Sequence, residues 1–113
     1  MKLNKKKILR DVKKYYSGRM HGGQSSSLAE RCVDLGQDWI DSYQWGFDTS
    51  DSLINKNRKE MRKELRRYVR DRVAYSEYNA TFLPAFIWMW IAQAIISWII
   101  GKIIDNILEQ KDV

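Results

Sequence analysis

His21 and Cys32 are the only histidine and the only cysteine in the chain. One of each cannot build an HExxH zinc site, a cysteine–histidine cluster or an internal disulfide. His21 sits in the stretch SGRMHGGQSS without a ligand-type neighbour, so it is read as neither a general base nor a metal ligand. Phosphate-cradling glycine loops and GxSxG elbows are absent from the sequence. Glu30, Asp34, Asp38 and Asp41 recur at helical spacing on one face, opposite an apolar stripe, which makes them solvated rather than a paired acid and base. The expectation is a non-enzymatic chain with no cofactor and no metal.

Charge is the chemistry that remains. Twenty Lys and Arg face fourteen Asp and Glu, for a net charge of +6, and the charges are striped. Residues 1–19 carry +7, 20–51 carry −5, 52–73 carry +6 and 74–113 carry −2. The order suggests that the acidic middle folds back between two basic arms. Arg58, Lys59, Arg62, Lys63, Arg66, Arg67, Arg70 and Arg72 form the densest group. Cations placed against anionic lipid contribute about 1 kcal/mol each, and the same residues could neutralise nucleic-acid phosphates. The aromatic residues lie on apolar stripes and do not interleave with these cations, which leaves nucleic-acid binding resting on charge alone.

A second pattern is a polar and small stripe at spacing four: Gln93, Ser97, Gly101 and Asp105. Residues four apart share a helix face, and small residues there let two helix backbones approach closely. This stripe is the expected helix–helix interface of a self-associating chain.

The elements that carry these residues read as all-α. A short basic helix covers Leu3 to Tyr16, with Ile8, Leu9, Val12, Tyr15 and Tyr16 on one side. It is either docked on the body or a basic arm for a membrane surface or nucleic acid. A Gly/Ser break follows over Ser17 to Ser26. Ser27 and Glu30 have the spacing of a capping box. After them Leu28, Cys32, Leu35, Trp39 and Tyr43 form a stripe widened by Val33, Ile40 and Phe47, with Gly46 as the stop. The aromatic cluster Trp39, Tyr43, Trp45 and Phe47 reads as core. A long basic helix is expected from Ser52 to about Ser76, capped by Ser50 or Asp51, with Ile54, Met61, Leu65, Tyr68, Val69 and Val73 along a narrow apolar stripe.

From Asn79 to Gly101 the chain runs 23 residues without an ionisable side chain. About 20 such residues suffice to cross a bilayer. Asn79 or Thr81 is the expected cap, Pro84 suits a first turn, and the helix should continue to Leu108. The resulting organisation is a charged helical region 1–78, a transmembrane-like helix 79–104 and a polar tail 105–113. The basic start MKLNKKKILRDVKK has no apolar core after it and does not read as a secretory signal. Positive charge before the span sets that side inside, so the sequon Asn79-Ala-Thr81 should stay unmodified in the cytoplasm.

The function expected first is a single-span, membrane-anchored helical protein that self-associates and contacts anionic lipid. The alternative is a structural subunit of a virion, secretion complex or other large assembly, its apolar helix buried in protein and its basic helices near nucleic acid or acidic partners. Trp88 and Trp90 favour that alternative, because they fall mid-segment while tryptophans prefer membrane interfaces.

Overall fold

A computed structural model describes residues 2–16, 22–44, 56–73 and 84–111 of the chain. Among these the structure is all-helical, with four helices and no strand: α1 (Lys5–Tyr16), α2 (Gly22–Gln44), α3 (Arg58–Arg72) and α4 (Ala85–Lys111). His21, Trp45, Gly46, Phe47, Ser50, Asp51, Ile54, Asn79 and Thr81 lie outside the described residues, as do the expected ends of the basic helix beyond Val73.

Each helix begins and ends for a local reason. The Asn4 side chain accepts from the Lys7 amide at 3.2 Å and starts α1. The α2 helix opens at Gly22, five residues before the capping box at Ser27, so residues 22–26 are helical and not the expected break. Gly and Ser lower helix propensity without forbidding the conformation, as proline would. The basic helix starts at Arg58 instead of Ser52. Asn57 has an extended backbone, its side chain accepts from the Glu60 amide at 2.9 Å, and its own amide group donates to the Glu60 carboxylate at 2.9 Å. That reciprocal cap fixes the first turn. Pro84 precedes α4, where its carbonyl accepts from the Ile87 and Trp88 amides.

The bundle is built on the α2–α4 pair, with α1 and α3 each packed against both of them. Leu28, Cys32, Leu35, Trp39 and Ile40 of α2 are buried as their stripe predicts. So are Ile8 and Val12 of α1, which is a docked helix, and Met61, Leu65 and Val69 of α3. Trp39 donates from its indole to Glu64 of α3 at 3.2 Å and meets Tyr43 edge to face at 5.5 Å.

The fourth helix passes the length and hydropathy test for crossing a membrane over Ala85–Gln110, at mean hydropathy 1.7. One face of it is also buried in the core of the bundle. Ile95, Ile96, Ile99, Ile100, Ile103, Ile104 and Ile107 are buried against the other helices. β-Branched side chains hold one rotamer in a helix, so they pack with little further loss of freedom. Ile103 fills the space a side chain would take on Gly36, where a Cβ would sit 2.8 Å from its Cδ1. The helix, expected to continue to Leu108, runs on to Lys111, so Asp105 to Lys111 of the polar tail form its last turns. They join the N-terminal segment to the bundle. The Leu3 amide donates to Gln37, the Asn4 amide to buried Asn106, and Gln110 to the Lys2 carbonyl.

Candidate docking surface on α3 and α4

Ser97, Gly101 and Asp105, three of the four positions of the polar stripe of α4, lie against α3 of the same chain. Arg58 donates to Asp105 at 2.6 Å and Arg66 to the Ser97 hydroxyl at 3.1 Å. Between them, the place of a Gly101 Cβ lies 3.4 Å from the Arg62 guanidinium. Three arginines four residues apart thus meet three stripe positions four residues apart in an antiparallel register. Continuing that register by one turn sets Arg70 opposite Gln93, which is exposed.

This register divides the basic residues into two groups. Arg58 and Arg66 are engaged by α4, and Arg72 stacks over the Tyr68 ring at 3.6 Å while donating to the Tyr68 carbonyl. Lys59, Arg62, Lys63, Arg67 and Arg70 are exposed and form no ion pair among the described residues. Charge compensation elsewhere runs through acids of α2 and late α4, and through Glu64 of α3, which pairs with Lys56 at 3.3 Å. Lys5 pairs with Asp34 at 2.9 Å, and this hydrogen bond raises its pKa. Lys7 pairs with Glu109 at 3.3 Å. The acidic segment does fold against the first basic arm, while late α4 supplies the acid for Arg58.

The outer side of α4 carries a second row at spacing four: Phe86, Trp90, Ala94, Trp98 and Lys102. Phe86 is 74 % exposed, Trp90 77 % and Trp98 45 %, and Met89 beside them is also exposed. Trp88, which the sequence reading grouped with Trp90, is buried at 1 %. A groove of about 350 Å³ runs between this row and α3, lined by Arg62, Ala94, Ser97, Trp98, Gly101, Lys102 and Asp105. The Lys102 ammonium lies 5.7 Å from the Trp98 ring centre. Aromatic and cationic side chains therefore do adjoin here. Lys102 stands one turn from Trp98 on α4 itself, a spacing visible in the sequence. Arg62 of α3 lines the same groove, which spacing within a single helix could not reveal.

Buried Cys32 is chemically quiet. Burial pushes its thiol up to about 12, with Arg31 opposing weakly, so almost none is thiolate at neutral pH. No group of three or more metal-ligating side chains occurs among the described residues. Comparison with protein-family models, curated proteins and solved structures finds no match to this chain.

Proposed function

We propose that the chain is a non-enzymatic, membrane-associated helical bundle whose α3–α4 face meets the lipid surface. One observation carries the reading: α4 turns its isoleucine face to the bundle and its Phe86, Trp90 and Trp98 row to solvent, beside exposed cations of α3 that form no ion pair among the described residues. Exposed aromatic rings bordered by Lys and Arg suit the headgroup layer of a bilayer. A complete crossing by α4 is the stronger form of the proposal. It requires the isoleucine face to leave α1, α2 and α3. Self-association through Ser97, Gly101 and Asp105 would likewise have to displace Arg58 and Arg66 from the same chain.

Flotation of the purified chain with vesicles, followed by carbonate washing, tests the reading. Bound protein that carbonate releases supports surface association, whereas bound protein that resists carbonate supports a span. Failure to float with any vesicle overturns both forms. The second reading, a subunit of a larger protein assembly, is favoured by the burial of the isoleucine face in protein. It is the one left standing if flotation fails.

A further inference from the structure

We infer that α4 docks lying in the plane of the membrane, and that the docking is selective for anionic phospholipid, with the Arg62–Trp98 groove receiving a headgroup phosphate. This rests on the membrane-associated reading and adds an orientation and a lipid class to it. The orientation follows from the aromatic row. Phe86, Trp90 and Trp98 span twelve residues of one helix, about 18 Å along its axis. A row of that length reaches one interface together only if the helix axis runs parallel to the surface. A helix crossing the bilayer would spread those rings through its depth.

The lipid class follows from the cations. Arg62 shares the groove with Trp98, Lys102 and the Ser97 hydroxyl, which accepts from Arg66, and Gly101 contributes no side chain there; the one carboxylate in the lining, Asp105, is paired with Arg58. Guanidinium, ammonium and hydroxyl donors converging on one groove match the oxygens of a phosphate. Lys63, Arg67 and Arg70 stand exposed on the same helix as Arg62, with no internal counter-ion among the described residues. A zwitterionic surface gives such a row little to neutralise. An anionic one attracts each cation placed within a Debye length of it.

The test uses the full chain with vesicles of phosphatidylcholine alone or mixed with phosphatidylglycerol, read by flotation and by quenching of tryptophan with lipid-attached quenchers. Phosphatidylglycerol is expected to tighten binding on the order of 100-fold, and high salt to reverse the gain. The quadruple variant Arg62→Gln, Lys63→Gln, Arg67→Gln, Arg70→Gln should bind both vesicles equally, with a circular dichroism spectrum like the parent's. Phe86→Ser with Trp90→Ser should lower binding to both, and shallow quenchers should act on the parent more than deep ones. Equal binding of the parent to the two vesicle types overturns the lipid class. Stronger quenching by deep quenchers overturns the in-plane orientation. Either result leaves membrane association standing, whereas absence of binding to every vesicle removes that reading itself. An oligonucleotide bound more tightly than vesicles through the same four cations, or a dimer lost with Phe86 and Trp90, would also overturn the inference.

Discussion

The Arg58 guanidinium donates to the Asp105 carboxylate at 2.6 Å, which joins the first turn of α3 to the late turns of α4. With the Arg66–Ser97 bond two turns away, it holds the antiparallel register of the two helices. Register and stability are separate matters. Both side chains of the Arg58–Asp105 pair are about half exposed, and exposed pairs contribute about 0–1 kcal/mol. Asp105→Ala should therefore cost under about 1 kcal/mol in urea unfolding. Ile99→Ala, at a fully buried position, should cost about 2–5 kcal/mol. Equal costs would mean that ion pairs, not the isoleucine face, hold α4 in place.

Two mid-helix glycines should respond in opposite ways. Gly101→Ala meets Arg62 only at ordinary contact distance, so the gain in helix propensity, up to about 1 kcal/mol, should appear as a higher Tm. Gly36→Leu has no such room, because Ile103 already lies 2.8 Å from the first added carbon. Overpacking of this kind costs about 1–3 kcal/mol, a Tm loss of roughly 4–8 °C per kcal/mol. A Gly36→Leu protein that melts like its parent would contradict the close α2–α4 approach.

Trp39→Ala removes a side chain that is 2 % exposed, along with its contacts to Glu64 and Tyr43. The expected loss is about 3–5 kcal/mol, a large share of the about 5–15 kcal/mol that holds a typical domain. Trp39→Phe keeps most of the packing and gives up the indole hydrogen bond, for about 1 kcal/mol. Thermal melts of the two variants should rank in that order.

Much of the bundle can be read from local patterns. The α2 stripe is regular enough to assign its buried face, and Met61, Leu65 and Val69 do the same for α3. The face of α4 that packs is also written in the sequence, as the pairs Ile95-Ile96, Ile99-Ile100 and Ile103-Ile104 at spacing four, with Ile107 after them. It is hidden because the outward positions beside those pairs include Trp90, Ala94 and Trp98, so hydropathy alone shows no contrast between faces. Of the Gln93, Ser97, Gly101 and Asp105 stripe, read from the sequence as an interface between chains, Ser97, Gly101 and Asp105 lie against α3 of the same chain. Its partner is not legible, since pairing with α3 depends on a register between residues about 30 to 50 positions apart. The Asn57 cap, a single polar residue inside a charged run, sets a helix start that side-chain periodicity cannot locate.

Cys32 gives a test by pH. Its folded thiol is pushed up to about 12 from the ordinary 9.0 by burial. Between these values the unfolded chain loses the proton and the folded chain keeps it, so stability falls as pH rises above about 9, by up to 1.36 kcal/mol per unit. Below pH 9 the group adds no slope. Comparison with Cys32→Ala at pH 8 and pH 10 should show this fall only in the parent. Iodoacetamide at pH 8 should modify Cys32 only after unfolding. Rapid alkylation of the native protein would contradict its burial.

The central proposition is that α4 reaches the membrane without leaving the bundle. A covalent latch between α3 and α4 tests it most directly. In a Cys32→Ser background, Arg58→Cys and Asp105→Cys replace two paired, half-exposed side chains and can be joined by a short bismaleimide. The latch and the chain segment between α3 and α4 then close a ring, which prevents α4 from crossing a bilayer alone. The latched protein is expected to float with phosphatidylglycerol vesicles as well as the unlatched one. Loss of flotation on latching, restored when a cleavable linker is cut, would show that α4 must leave the bundle to bind, contradicting the account.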